Sequence, residues 1–144
     1  MDLEVAKRRL KEGNFNLVVA KRGKIIFEST SSGVLGLLQA IEKFGKELYE
    51  SVVADRIVGR AAAMLCIYSR VNAVFAVTIS EEGKRVLNEN NIPCQFEECV
   101  PHILNRQRTD LCPFEKLVID IKTPEEAYEN LKSFTVVRNR TSTG

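Results

Sequence analysis

The stretch Asn72-Ala73-Val74-Phe75-Ala76-Val77-Thr78-Ile79 decides the fold class, because it is a nearly continuous apolar run of strand length. Such a run is typical of a strand that is buried on both faces of a sheet. Ser80 follows directly and predicts the cap of a short helix over 81–90. A buried strand that leads into a helix indicates an α/β protein, in which helices cover both faces of the sheet.

The flanking segments extend this alternation of strands and helices in both directions. Towards the N-terminus they predict a helix over Asp2–Glu12 and a hairpin of Asn16–Ala20 and Lys24–Ser29. A second helix is predicted over Gly33–Phe44, with Ser31 or Ser32 as its cap and Gly45 at its end. Asp55 is predicted to cap a third helix. Towards the C-terminus they predict a weaker strand over Ile92–Val100, a helical turn at Pro101–Leu104, a polar loop over Arg106–Leu111, a helix from Pro113 to about Ile121, and a last helix from Pro124 to Ser133. We therefore expect one domain over 1–137, with a mixed sheet covered on both faces, and a flexible tail over 138–144.

Composition and charge narrow the classes of function. The 144 residues include 21 basic and 19 acidic side chains, so the net charge is only +2. Nucleic-acid-binding domains are usually more basic, and nucleic acid is therefore not an expected partner. The first residues lack a secretory signal pattern, and no apolar run reaches the ~20 residues that a membrane helix needs. We expect a cytoplasmic protein with reduced thiols and no membrane partner.

Several blocks together resemble an uncharacterised prokaryotic family, the domain of unknown function 1893, in the cytidine deaminase-like superfamily. The resemblance covers roughly residues 2–122. It implies a three-layer α/β fold, with a mixed β-sheet and helices on both faces. The blocks that carry it are Asp55-Arg56-Ile57-Val58-Gly59-Arg60-Ala61-Ala62-Ala63, Val74–Ser80, Val100-Pro101, Asn105-Arg106 and Cys112-Pro113-Phe114-Glu115-Lys116-Leu117.

The resemblance does not imply zinc-dependent deamination. In zinc deaminases one helix start supplies a His or Cys ligand with the catalytic Glu two residues later, and a second helix start supplies two Cys ligands spaced C-x-x-C. The first position falls in Gly59–Ala63 and the second in Ser80–Gly83, and neither contains a His or a Cys. Without three ligands there is no activated water. We therefore predict no metal and no cofactor for this chain.

The first candidate site is the start of the helix that carries Gly59–Ala63. Small residues there let a ligand approach the backbone, and unpaired N–H groups at a helix start favour anions. Arg56 or Arg60 could add positive charge for a phosphate or a carboxylate. The alternative is that Asp55 is a cap and that Gly59-Arg60-Ala61 serves close packing of the helix on the sheet.

The second candidate site is the polar loop that runs into the helix start at Pro113. A thiol at such a start can have a lowered pKa, and Arg106 or Arg108 would lower it further, so Cys112 is the best candidate nucleophile. Its only available base is His102. The alternative assigns Cys112 as a cap, Glu115 as its capping-box partner and Asp110 as a residue that bonds within the loop.

A third set, Cys94, Cys99, His102 and Cys112, contains four ligand types of the kind that zinc binds. Its spacing fits no common zinc module. Cys94 and Cys99 are five residues apart, so they would point to opposite faces of a regular strand. The resemblance extends to Cys112 alone, and the sequence therefore does not favour this set as a metal site.

These observations favour a non-catalytic or weakly catalytic binder of a nucleotide-like or other anionic small molecule. The expected pocket lies where deaminases hold zinc. Two alternatives stay open, namely a metal-free hydrolase or transferase that uses Cys112 or Asp55, and a structural module that assembles as a homo-oligomer. The residues predicted to line the pocket are Asp55, Arg56, Gly59, Arg60 and Ala61 on one wall and Asn105, Arg106, Asp110, Cys112 and Glu115 on the other.

Overall fold

A computed structural model describes residues 2–143 of the chain, and the side chains of residues 2–135. Strands and helices alternate along most of the chain, as the sequence predicts. The strands are β1 (Leu17–Lys21), β2 (Lys24–Ser29), β3 (Val52–Val58), β4 (Ala73–Ser80) and β5 (Cys94–Val100). The helices are α1 (Asp2–Glu12), α2 (Leu35–Phe44), α3 (Arg60–Tyr68), α4 (Glu81–Glu89), α5 (Pro113–Val118) and α6 (Pro124–Thr143), and a short 3₁₀ turn covers Gly45–Leu48.

The five strands form one sheet in the order β2-β1-β3-β4-β5. β1 pairs antiparallel with both β2 and β3, whereas β3, β4 and β5 run parallel. The parallel half needs helical crossovers, and α3 and α4 supply them. The mixed sheet with helices on both faces is therefore confirmed.

Strand β3 is the element that the sequence reading missed. We predicted that Asp55 caps a helix, and this is wrong, because Asp55 lies inside β3 opposite Leu17 of β1 and Ala76 of β4. The helix begins only at Arg60, after Gly59. Val52, Val53, Ile57 and Val58 favour a strand, but the two charged residues between them hide the apolar pattern.

The two faces of the sheet are covered unequally. On one face α1 packs alone against a small cluster that includes Leu10, Val18 and Phe75. On the other face α2, α3, α5 and α6 pack over the main core, which includes Leu65, Val74 and Leu131. The parallel strands therefore end among the starts of helices on the more thickly covered face, and this position matters for the candidate site.

Most predicted helix signals are confirmed. The Ser80 hydroxyl accepts a hydrogen bond from the Gly83 N–H at 2.9 Å and caps α4, and Gly45 ends α2 with a φ of 53°. Thr123 caps α6 through a bond from the Glu126 N–H at 3.3 Å. The expected Ser31 or Ser32 cap is wrong, because α2 begins after Val34 without a side-chain cap.

The C-terminal part differs from prediction in two places. Residues 101–104 form no helical turn, and instead Leu104 pairs with Leu111 across the exposed loop. The last helix does not end at Ser133, since the α6 backbone continues to Thr143. Gly144 and the side chains of 136–143 lie outside the described part, so the flexible tail stays a prediction. Within residues 2–143, no helix has both the length and the apolar character to cross a membrane.

Candidate functional site

Asp55 lies in the interior rather than at a ligand-accessible helix start. Its side chain is buried between β3 and α3, and its carboxylate accepts a hydrogen bond from the Ile57 N–H at 3.3 Å. Burial raises the pKa of Asp55 to about 7, although backbone N–H groups act against this shift. The Cys66 thiol lies nearby, and burial raises its pKa as well, with the charge of Asp55 adding to the effect.

Arg56 has a structural role at the end of α1. Its guanidinium donates to the carbonyl oxygens of Phe15 at 2.7 Å and Leu10 at 3.2 Å. The last carbonyls of a helix have no partner within the helix, so a guanidinium placed there satisfies them. Arg56 therefore fixes α1 against β3, and its side chain is directed away from the start of α3.

The start of α3 is occupied by the carboxylate of Glu115. Glu115 accepts hydrogen bonds from the N–H groups of Arg60 at 2.8 Å and Ala61 at 2.9 Å. A Cβ on Gly59 would lie 2.3 Å from the same carboxylate, so only glycine leaves room for it. The two walls predicted for the pocket, one around Gly59 and one around Cys112, do meet in space, and the Glu115 carboxylate makes the contact between them.

The predicted capping box at Cys112 and Glu115 is wrong for the same reason. Cys112 precedes α5 without a side-chain cap, and the Glu115 carboxylate caps α3 instead of its own helix. Burial raises the pKa of Glu115, and the two N–H donors and the Arg60 charge act in the opposite direction.

The side chain of Arg60 joins α3 to its neighbours. Its guanidinium donates to the carbonyl oxygens of Val118, at 2.9 Å, and of Ile121, both in the segment that ends α5. It also forms an ion pair with Glu82 of α4 at 3.0 Å. Each of the three guanidinium nitrogens therefore has a partner inside the protein, and the cation is already engaged at this point.

The starts of α3 and α4 lie side by side. A Cβ on Gly83 would lie 2.9 Å from the carbonyl oxygen of Val58 and 3.0 Å from that of Gly59, so glycine permits the close approach. Zinc does not fit here. The side-chain donors at these starts are the carboxylates of Glu115 and Glu82, and both already have partners, since Glu115 accepts from backbone N–H groups of α3 and Glu82 pairs with Arg60. Within the described part of the chain, no group of three His, Cys, Asp or Glu side chains is arranged to hold a metal.

The polar loop bonds mainly to itself. Asn105 binds Thr109, and Asp110 forms an ion pair with Lys116 that lowers the pKa of Asp110. Arg106 reaches the Ser32 hydroxyl at 3.5 Å, at the limit of a hydrogen bond. These contacts fix the loop, and none of them reaches the start of α3.

Cys112 is half-buried against the main core, and its backbone N–H donates to the carbonyl oxygen of Ile103 at 3.0 Å. Among the side chains that the structure describes, no hydrogen bond joins His102 to Cys112. A nucleophilic thiol normally has a positioned base, and this geometry does not supply one.

A cleft of about 870 Å³ lies at the opposite end of the sheet, and the sequence reading missed it. The chain has three tyrosines, and all of them line this cleft. Tyr68 and Tyr128 stack with ring centroids 4.5 Å apart and an angle of 18° between the rings. Burial is the largest cause of a raised pKa at Tyr68. We call this cavity the tyrosine cleft; Tyr49, Tyr68 and Tyr128 define it.

Charged side chains surround the tyrosine cleft. The Arg70 guanidinium lies 4.7 Å from the centroid of the Tyr49 ring, and the Lys132 ammonium lies 5.5 Å from that of Tyr128. Lys46, Glu42 and Glu125 also line the cavity. No ion pair among residues 2–135 involves any of these five charged residues.

Three helices end at the tyrosine cleft. Gly45, Arg70 and Asn91 lie at the ends of α2, α3 and α4 and have φ values of 53°, 50° and 60°. A left-handed residue after the last helical turn is a common way to end a helix. The carbonyl ends of three helix dipoles therefore point towards one cavity.

The strand order, the parallel half of the sheet and the paired starts of α3 and α4 define a deaminase-like α/β fold, and the side chains of residues 2–135 contain no zinc-ligand set. Residues 5–135 match the family model TM1506, domain of unknown function (DUF1893). The chain belongs to the DUF1893 family. The family resemblance and the fold predicted from the sequence are thereby confirmed.

Solved structures agree with this assignment. The DUF1893 family protein TM1506 from Thermotoga maritima matches with a TM-score of 0.83 and 29% identity, over 91% of this chain and 88% of that chain. RibD from Acinetobacter baumannii matches with a TM-score of 0.51 and 12% identity, over 67% of this chain and 35% of RibD. At that identity the likeness to RibD shows the deaminase-like fold alone. No curated protein sequence gives a significant match.

Proposed function

We propose that this DUF1893 protein binds a small anionic, nucleotide-like molecule in the tyrosine cleft and is not a zinc-dependent deaminase. One observation carries the proposal: all three tyrosines line a single cleft beside Lys46, Arg70 and Lys132, and no carboxylate of residues 2–135 forms an ion pair with these cations. Ligand sites combine aromatic walls with a few placed polar groups.

The volume of the cleft supports a small molecule. Ligand cavities commonly measure about 300–1,000 Å³, and the tyrosine cleft measures about 870 Å³. Tyrosine walls supply flat apolar surface for a ring, while exposed lysine and arginine side chains supply charge at the entrance. The two properties together favour a ligand that has a ring at one end and an anion at the other.

The pocket first predicted at the start of α3 receives less support. An anion there would have to displace the Glu115 carboxylate from the N–H groups of Arg60 and Ala61. It would also meet no free arginine, because Arg60 is bound to the end of α5 and to Glu82. We therefore propose the tyrosine cleft as the binding site in its place.

The metal-free hydrolase or transferase predicted as an alternative from the sequence is not favoured by a specific contact. Asp55 is only 5% exposed, so it cannot reach a substrate without a rearrangement of the sheet and α3. Cys112 lacks a hydrogen-bonded base within the described part, so a thiol nucleophile would depend on its own ionisation. Ligand binding without chemistry at these residues is the reading that the contacts support.

The test compares hydrogen exchange of the full chain with and without ligand. A panel of anionic metabolites is first screened for an increase in unfolding temperature, because a ligand that binds the native state stabilises it. The best ligand is then used to map amide protection. We expect added protection in 41–49, 67–72 and 124–132. Protection confined to 57–61 and 112–115, or no stabilising ligand, would contradict the proposal.

A further inference from the structure

We propose that the ligand of the tyrosine cleft is a nucleoside monophosphate whose base carries an exocyclic amino group, and that Arg70 binds its phosphate. This inference rests on the proposed function and deepens it. It assigns an orientation, with the phosphate at the exposed edge of the cleft and the base against the tyrosine walls.

Arg70 is positioned to bind a phosphate. Its guanidinium lies 4.7 Å from the centroid of the Tyr49 ring, and among residues 2–135 its side chain donates no hydrogen bond to protein. Its backbone is fixed, because the Glu50 N–H donates to the Arg70 carbonyl oxygen at 3.0 Å. An arginine held by an aromatic ring keeps its planar set of donors available, and that set matches two oxygens of a phosphate.

The charge balance limits the number of phosphates. Lys46, Arg70 and Lys132 line the cleft with three positive charges, and Glu42 and Glu125 line it with two negative charges. The excess is therefore one positive charge, and a monophosphate, with its charge of about −1.5 to −2, comes closer to this balance than a diphosphate or a triphosphate. A triphosphate would bring its further negative charges close to the two carboxylates, and like charges at short range disfavour binding.

The helix ends at the cleft lead to the same limit. The ends of α2, α3 and α4 carry the negative end of each dipole, which disfavours a polyanion. α6 begins at the cleft, so the positive end of its dipole lies there. The Thr123 cap and the carboxylate of Glu125 in the first turn of α6 offset this positive end. No glycine-rich phosphate loop borders the cavity in the described chain.

The same helix ends select the base. Most of the last carbonyl groups of α3 already accept bonds from the residues that follow the helix, but no hydrogen bond among residues 2–135 reaches the Tyr68 carbonyl oxygen, so a ligand that offers an N–H group is favoured beside it. An adenine-type ring has an exocyclic amino group that donates, whereas a hypoxanthine-type ring has a carbonyl at that position. The stacked rings of Tyr68 and Tyr128 give the flat wall that such a base needs.

The experiment is isothermal titration calorimetry of the full chain with adenosine monophosphate. The comparison ligands are inosine monophosphate, adenosine, adenosine triphosphate and inorganic phosphate. We expect adenosine monophosphate to bind at least about tenfold more tightly than each of them, since a lost hydrogen bond or stacking contact, or an added negative charge beside Glu42 and Glu125, changes affinity by about that factor. Equal or tighter binding of the triphosphate would overturn the charge argument, and equal binding of inosine monophosphate would overturn the choice of base.

The variant Arg70→Asn isolates the phosphate contact. Asparagine tolerates the left-handed backbone at φ 50°, so the change removes the guanidinium without forcing the chain. We expect it to weaken adenosine monophosphate about tenfold or more and to leave adenosine unchanged. Arg22→Asn is the matched control, because Arg22 is an exposed arginine at φ 53° in the remote hairpin turn, and its affinity should equal wild type.

A second variant keeps the test decisive if Arg70→Asn does not fold. Arg70→Lys retains the charge but loses the planar donors, and we expect a smaller loss of monophosphate affinity. Unchanged monophosphate affinity in a folded Arg70 variant would overturn the inference. If other small anions protect the cleft in hydrogen exchange while no nucleoside monophosphate binds, the inference fails and the proposed function stands. If no anion protects the cleft, both fail.

Discussion

Replacement of Asp55 by asparagine should remove a large pH dependence of stability. Asp55 is only 5% exposed, lies in the central part of the sheet, and forms no ion pair with any side chain of residues 2–135. Its charged form is supported by backbone N–H groups alone, and burial raises its pKa from 3.8 to about 7. A buried carboxylate without a cation is costly in its charged form.

The sign and the size of the effect follow from linkage. Asp55 binds a proton more tightly in the folded chain than in the unfolded chain, so the stabilisation is complete below about pH 4 and is lost as the pH rises towards 7. One pKa unit corresponds to about 1.4 kcal/mol, so the loss over this window is on the order of 4 kcal/mol. Asparagine stays neutral and its side-chain oxygen can still accept from the Ile57 N–H.

Urea unfolding at pH 5, 6, 7 and 8 measures this difference. At pH 8 we expect Asp55→Asn to be more stable than wild type by up to about 4 kcal/mol, and at pH 5 the gap should fall to less than half of that. Asp110→Asn is the control, because Asp110 is exposed and Lys116 lowers its pKa, the opposite direction. The reasoning is refuted if wild type and Asp55→Asn change in parallel across this pH range.

Two further predictions concern the junction of α3, α4 and α5. Glu115→Ala should lower the free energy of unfolding by about 2–4 kcal/mol, because it removes two charge-assisted hydrogen bonds to the Arg60 and Ala61 N–H groups. Glu115→Gln should lower the free energy of unfolding by less. Equal stability of wild type and both variants in urea would contradict the role of Glu115 as the cap of α3. Gly83→Ala should destabilise by about 1–3 kcal/mol through its clash with backbone oxygens, although alanine gains about 1 kcal/mol in helix propensity. A higher unfolding temperature for Gly83→Ala would show that the contact of α4 with the Val58–Gly59 backbone is not close.

Those parts of the fold that follow a regular apolar pattern were predictable. The run Asn72–Ile79 and the Ser80 cap identified β4 and the start of α4, because burial on both faces requires apolar side chains without a gap. β3 was not predictable in this way. Asp55 and Arg56 interrupt its apolar run, and a buried carboxylate inside a central strand is rare enough that the same residues read more naturally as a helix cap.

Local spacing was a poor guide to the partner of Glu115. Cys112-Pro113-Phe114-Glu115 has the form of a capping box, and that pattern describes contacts within one helix. The Glu115 carboxylate instead reaches the start of α3, 54 residues away from its Ala61 partner. A carboxylate can cap any helix start within reach, so only the tertiary arrangement decides which one it caps. The family resemblance led to the correct prediction that the block around Gly59 and the block around Cys112 meet in space. It did not predict that the Glu115 carboxylate makes the contact.

The tyrosine cleft had no periodic signal in the sequence. Tyr49 follows the 3₁₀ turn, Tyr68 is the last residue of α3, and Tyr128 lies near the start of α6. Each tyrosine occupies a different element, and none of them repeats at a helix or strand spacing that would indicate a shared face. They meet because the ends of α2 and α3 and the start of α6 converge at one end of the sheet.

The two ends of the sheet differ in how completely the protein neutralises its own charge. At the start of α3 the helix N–H groups are bound by Glu115, and Arg60 is bound by two carbonyl oxygens and by Glu82. Groups satisfied in this way contribute to stability, and a ligand can reach them only by breaking existing bonds. At the tyrosine cleft the Arg70 guanidinium lies beside an aromatic ring and donates no hydrogen bond to residues 2–135. An anion that accepts from Arg70 would break no internal bond, so the proposed binding costs less at the tyrosine cleft than it would at the start of α3, at the opposite end of the sheet.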